Sequence, residues 1–349
     1  MTFEELYAVD KSNMFRLLKG FPGQVEEAVS IGNGFRVKKR LTGIRQVVLT
    51  GMGGSAIGGD LLADYLAGEL AIPFLVNRNY SLPSFTGRET LVIVSSYSGN
   101  TEETNSAYRE AIRRRAKILC ITSGGKVERL ARSKRHMLIT IPGGLPPRAA
   151  LGYSFFPLLL ALAKLGLVRN KSREIAETVQ LLQKKSQEYG APDPLNNRAL
   201  QLAGLLQHKL GFVYAGGEHM HSVTTRWRGQ VAENGKALMS AHVLPEMNHN
   251  EIVGWKNPAG ALGESQVVFL RDRGDHKRIQ KRMELTKAII SETTTNIAEA
   301  WSEGTVLLAR MFSLVYLGDW TSYYLAILHG EDPTPVRVID HLKDELGKA

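Results

Sequence analysis

Two short stretches carry the residues best suited to holding an anion. Ser95-Ser96-Tyr97-Ser98-Gly99-Asn100-Thr101 places the hydroxyls of Ser96, Ser98 and Thr101 between an apolar run and a helical pattern. Such a turn sets hydroxyls beside the free backbone N–H groups of a helix start, where the dipole favours negative charge. Serine and threonine are also ordinary helix caps. Gly51-Met52-Gly53-Gly54-Ser55 repeats the arrangement with glycines, which let backbone approach a ligand closely, and with one hydroxyl, that of Ser55. Neither turn has the lysine of a nucleotide-binding P-loop. The glycine turn satisfies G-x-G-x-x-A through Gly51, Gly53 and Ala56, but a dinucleotide site also needs an acid at the end of the next strand. That strand, AIPFLVN, ends in Asn77. A hydroxyl-rich second turn suits a phosphate monoester, whose oxygens each take several hydrogen bonds.

Groups able to move protons or hold developing negative charge lie elsewhere. Glu233 sits in WRGQVAENGKA, a helical pattern otherwise without acids. A lone helix glutamate is ordinarily a solvated one, yet a carboxylate is a competent proton carrier when its surroundings raise its pKa. His249 lies between two asparagines in PEMNHNEIVGW, a polar loop of the kind that often borders a site. Arg148 follows a proline-rich turn, and Lys343 lies on the last helical pattern. Spacing alone does not join these four. Glu218, His219 and His221 hint at a metal, but EHMH lacks a third ligand at useful spacing, so no metal site is expected. Cys120, the single cysteine, lies within the apolar run KILCIT and reads as a small buried strand residue.

These groups need a scaffold, and the chain spells one out. From residue 45 onward short β-rich runs (45–50, 72–77, 91–95, 117–121, 136–141) alternate with helical patterns, which predicts a parallel sheet covered on both faces. After the Pro- and Asn-rich segment 189–197 the theme restarts with GFVYAGG, a glycine turn and a helix, and QVVFLRD adds a further strand. The fold class is α/β, with two doubly wound domains. Residues 1–40 form a helical lead-in, 41–190 a first domain, and 191–349 a second domain with C-terminal helices. A length of 349 residues suits two domains. No apolar run reaches membrane-spanning length, and the acidic, mixed start is unlike a signal peptide, so a cytoplasmic protein is expected. The net charge of +10 comes partly from clusters at 113–115 and 277–282. Both fall on helical patterns without interleaved aromatics, so they read as solvated faces and not as a nucleic-acid surface.

Taken together, GMGGSAIGGDLL, SYSGNTEET, PPRAALGY, the ENGK segment, NHNEIVGW and the terminal DPTPV…LK resemble the bifunctional phosphoglucose/phosphomannose isomerases, members of the sugar isomerase (SIS) superfamily. The resemblance spans nearly the whole chain. It implies an aldose–ketose isomerase that interconverts glucose 6-phosphate or mannose 6-phosphate with fructose 6-phosphate through a cis-enediol, without a cofactor. Carried over by position, Gly53, Gly54 and Ser55 line the site, and Ser96, Ser98 and Thr101 hold the phosphate. Glu233 shuttles the proton between C1 and C2. His249, supplied by the other subunit of a homodimer, helps open the ring. Arg148 and Lys343 stabilise the enediolate, and Thr334 borders the pocket. A non-catalytic phosphosugar-binding regulator and an isomerase of another sugar phosphate are the alternatives. An amidotransferase would need an N-terminal cysteine nucleophile, which a mid-strand Cys120 does not provide.

Overall fold

The computed structural model describes residues 2–37 and 41–348. The end of the expected lead-in, residues 38–40, lies outside the described residues. The chain divides into two compact units, Phe21–Gln180 with Val306–Ala309, and Met1–Gly20 with Leu181–Thr305 and Arg310–Ala349.

The first unit is built on five strands, β1 (Gln46–Thr50), β2 (Phe74–Asn77), β3 (Thr90–Ser95), β4 (Lys117–Thr122) and β5 (Met137–Thr140). All pair in parallel, in the order β2-β1-β3-β4-β5. The central strand β3, TLVIVS, is buried at every position, whereas the edge strands β2 and β5 are only partly so. A parallel sheet covered on both faces asks for continuous apolar runs in its middle and tolerates mixed ones at its rims. Val48, Val92, Val94 and Cys120 of this sheet pack with Tyr108, Ala107 and Ala131 of the covering helices in one core. Burial pushes the Cys120 thiol up to about 12, so it is an inert core residue.

The second unit repeats the plan with β6 (Gly211–Gly216), β7 (Met239–Leu244), β8 (Gln266–Arg271) and β9 (Ile297–Trp301), all parallel, in the order β7-β6-β8-β9. Relabelled from its own first strand, this is the order 2-1-3-4 of the first sheet. The sequence pattern revealed β6 and β8 and missed β7 and β9. Segment 189–197 joins helices Ser172–Tyr189 and Arg198–Leu206, and it is firmly anchored. The buried Asn197 amide donates to the carbonyls of Tyr189 and Ala191 and to the Tyr324 hydroxyl, while its oxygen caps Leu200 N.

In both sheets the strand order reverses at the first strand, between β1 and β3 and between β6 and β8. Turns leaving adjacent strands there run to opposite faces and open a crevice at the strand carboxyl ends, where α/β folds bind ligands.

Candidate functional site

At the first crevice the two anion turns leave neighbouring strands, the glycine turn from β1 and the hydroxyl turn from β3. They are stitched together. Ser55 Oγ accepts from Tyr97 N at 3.1 Å, and Ser95 Oγ donates to the Ser55 carbonyl at 3.4 Å. Three glycines are there because backbone is too close for a side chain. A Cβ on Gly51 would lie 2.8 Å from the Ser95 carbonyl, one on Gly54 2.4 Å from the Pro147 carbonyl, and one on Gly99 1.9 Å from the Gly124 carbonyl. Gly99 also has a left-handed φ of 68°.

The hydroxyls of the second turn are arranged for something other than capping. Thr101 occupies the cap position of helix Glu102–Arg113, but its side chain makes no cap bond. Its Oγ1 lies 3.0 Å from Ser96 Oγ instead. Ser98 Oγ accepts from Asn100 N at 3.3 Å. Helix Gly53–Leu66 likewise starts without a side-chain cap and without an acid in its first turn. Two helix N-termini therefore leave amides open toward the crevice. Helix Glu102–Arg113 carries Glu102 and Glu103 in its first turn, which offset part of its own dipole.

Tyr97, within the motif but not among the expected site residues, organises the loops. Its carbonyl accepts from Ser123 N (3.0 Å) and Ser123 Oγ (2.6 Å), and its hydroxyl accepts from Leu145 N at 3.0 Å. One residue thus ties the turns after β3, β4 and β5. Burial raises the Tyr97 phenol above its ordinary value, which keeps it neutral. Arg148, on the 3-10 turn Pro147–Ala149, is 4% exposed. The backbone of that turn rests on Gly54, so the turn that carries Arg148 is packed on the glycine turn. Asn77, where a dinucleotide fold would carry its ribose acid, spends its amide on Thr50 Oγ1 and the Asn79 carbonyl.

In the second unit Glu233 ends helix His221–Glu233. One face of that helix is fixed by residues spaced four apart. Arg226 makes a two-pronged ion pair with Asp319 at 2.9 and 2.7 Å, Gln230 donates to the same carboxylate at 2.9 Å, and Asn234 donates to Ser322 Oγ at 3.0 Å. Trp227 Nε1 donates to the Leu314 carbonyl, and its ring fills the space left by Gly318. Both ions of the pair are 4% exposed, so each depends on the other for its buried charge. With that face immobilised, Glu233 lies on a cleft of about 620 Å³ that is also lined by Lys236, Leu238, Asp332, Pro335 and Arg337.

His249 is exposed on the short 3-10 turn Glu246–His249. Its neighbours hold that loop rigid. Asn248 donates to Thr286 Oγ1, Asn250 Oδ1 accepts from Glu251 N, and Glu251 and Trp255 both bond the Tyr214 hydroxyl. Lys343 lies on the C-terminal helix Arg337–Leu346, none of whose residues is buried. Neither His249 nor Lys343 lines the cleft at Glu233. Thr334, within the segment that borders it, has its N–H on Asp332 Oδ1.

The second crevice, between β6 and β8, has the strand order of the first but different side chains. Where the first sheet offers hydroxyls, this one offers Asp272 and Asp275. A Cβ on Gly216 would lie 2.4 Å from Asp275 Oδ1, so the carboxylate occupies the glycine turn itself. Burial, and then the nearby Asp272, push Asp275 up from 3.8 to about 6. The second acid, Asp272, is paired with Arg310 Nε at 2.9 Å. Among the described residues, no group of three or more His, Cys, Asp and Glu side chains is placed to hold a metal ion.

The geometry can be set beside known proteins. The family described as "SIS domain" matches residues 40–155, and the "Bacterial phospho-glucose isomerase C-terminal SIS domain" matches residues 195–346. A bifunctional phosphoglucose/phosphomannose isomerase of Caldicellulosiruptor bescii is 45% identical over 96% of this chain and 99% of its own length. One from Aquifex aeolicus is 35% identical over 96% and 98%. Among solved structures, a glucose-6-phosphate isomerase like protein from Thermus thermophilus superposes with a TM-score of 0.65 at 21% identity, over 95% of this chain and 96% of that one, a likeness of fold. With two sheets of one strand order and relatives aligned almost end to end, the chain belongs to the bifunctional phosphoglucose/phosphomannose isomerase family.

Proposed function

We propose that this protein is an isomerase that interconverts glucose 6-phosphate or mannose 6-phosphate with fructose 6-phosphate. The observation that carries the proposal is the β1/β3 crevice. Its hydroxyl turn leaves Thr101 unspent on capping, its glycine turn is locked to it, and the Arg148 turn packs on Gly54.

In this reading Ser96, Ser98 and Thr101, with the amides near Gly53, Gly54 and Ser55, hold the phosphate. Binding energy spent there orients C1 and C2 for reaction. His249 assists ring opening by moving a proton between the O1 hydroxyl and the ring oxygen. Glu233 then takes the proton from C2 of the aldose, leaving a cis-enediolate whose charge Arg148 and Lys343 offset. Glu233 returns the proton to C1, the hydroxyl proton passes from O2 to O1, and the ketose results with atoms and charge balanced. Proton transfer between adjacent carbons asks for a base and a charge-stabilising site, and for no cofactor. Loose control of the C2 face admits both the glucose and the mannose epimer.

We assign His249 to the partner subunit of a homodimer. What supports this is its exposure on a rigid loop, its absence from the cleft of its own Glu233, and the nearby Val253, 83% exposed. The proposed setting is cytoplasmic carbohydrate metabolism, at the entry to glycolysis and gluconeogenesis. Glu233→Gln tests the chemistry in assays coupled separately to glucose 6-phosphate and mannose 6-phosphate formation. Both activities should fall by roughly 10³-fold or more with sugar phosphate still bound. Full activity removes the proposed base, and a wild-type chain that binds without turnover points to a phosphosugar-binding regulator.

A further inference from the structure

Lys236 sits three residues beyond Glu233 with a left-handed φ of 53°, which turns its side chain back across the helix end. Its ammonium donates to three carbonyls, those of Glu233 at 2.5 Å, Pro335 at 2.7 Å and Pro333 at 3.2 Å. An ammonium has three protons, and this one has three convergent acceptors. The first acceptor is a helix C-terminal carbonyl, at the negative end of the dipole, where a cation is favoured. The other two belong to a Pro-Thr-Pro segment with few N–H groups of its own. That segment is otherwise held at Asp332, which accepts from Ser12 Oγ and Thr334 N. Beyond it comes the C-terminal helix that carries Lys343, with Val338, Leu342 and Leu346 each more than half exposed. Little core burial fixes that helix, so its direction is set at its root.

We infer that Lys236 is a positioning residue for the reaction. It locks the end of the Glu233 helix to the root of the C-terminal helix, so that the base and the helix bearing Lys343 hold one mutual placement. The inference rests on the reading of Glu233 as the base. A planar guanidinium cannot converge on three carbonyls as an ammonium does, so arginine is a partial substitute.

The test compares Lys236→Met and Lys236→Arg with wild type in steady-state kinetics on fructose 6-phosphate and in hydrogen exchange. In Lys236→Met, kcat should fall roughly 10- to 100-fold with KM changed less than about threefold, and Lys236→Arg should recover an intermediate kcat. Amides of residues 334–346 should exchange faster in Lys236→Met, while those of β6 and β8 keep wild-type protection. The inference is overturned by a Lys236→Met kcat within about twofold of wild type, by unchanged exchange at 334–346, or by equal loss of protection in β6 and β8. Should the methionine variant not fold, Lys236→Gln is read by the same criteria. A fully active Glu233→Gln enzyme would remove the base and this inference together. An inactive Glu233→Gln beside a fully active Lys236→Met would remove this inference alone.

Discussion

Thr101 shows what a sequence can and cannot say at the scale of one side chain. Its type and place fit both a helix cap and a phosphate ligand, because both roles use a hydroxyl at a helix start. The structure answers the capping half, since Thr101 Oγ1 turns to Ser96 Oγ and bonds no helix amide. The two roles separate in Thr101→Val, which keeps the shape and removes the oxygen. With no cap bond to lose, stability should change by less than about 1 kcal/mol, measured by thermal melting. If the hydroxyl meets a charged phosphate, KM for fructose 6-phosphate should rise roughly 10- to 100-fold, the worth of about 1.5–3 kcal/mol. A melting loss with KM unchanged would assign Thr101 to structure. Other roles were invisible in the sequence for a plain reason. Tyr97 and Lys236 act through backbone carbonyls brought close by the fold, and a carbonyl has no letter in the sequence.

At the scale of elements, legibility in the second sheet followed burial, while the partly buried edge strands β2 and β5 of the first were legible from the β/α alternation around them. β3 and β8 are buried along their whole length and stand out as apolar runs. The rim strands β7 and β9 mix polar and apolar residues, MSAHVL and IAEAW, because one edge of each needs no core contact. The strand order puts the serines after β3 and the acids after β8 at equivalent crevices. The Asp275 carboxyl makes the second crevice costly at neutral pH. Its folded pKa of about 6 exceeds its unfolded value of 3.8, so the folded state holds the extra proton between these values. Its contribution to stability is full below about pH 4 and is lost as pH rises through 6. Asp275→Asn stays neutral throughout. Relative to wild type it should match at pH 4 and gain on the order of 1–2 kcal/mol by pH 7, after allowance for solvent screening. Urea denaturation at several pH values checks this, and a variant less stable at pH 7 than at pH 4 relative to wild type would contradict it.

Across the whole molecule, one strand order is used twice, with hydroxyls after the third strand of the first sheet and Asp272 and Asp275 after the third strand of the second. Glu233 follows β6 on a helix fixed through Arg226, Gln230 and Asn234, and His249 follows β7 on a loop fixed through Asn248 and Trp255. Both are rigid, yet His249 points from an exposed loop that does not line the Glu233 cleft. If sites are shared in a homodimer, each needs Glu233 from one chain and His249 from the other, as a two-fold axis pairs unlike residues. Glu233→Gln and His249→Gln chains should each be inactive as pure preparations. Unfolded together in equal amounts and refolded, half the dimers are mixed by chance. In a mixed dimer one site receives both substitutions and the other receives neither. Such a mixture should recover about a quarter of wild-type activity, while each variant refolded alone recovers none. If His249 instead served the Glu233 of its own chain, every site in the mixture would keep one defect and no activity would return.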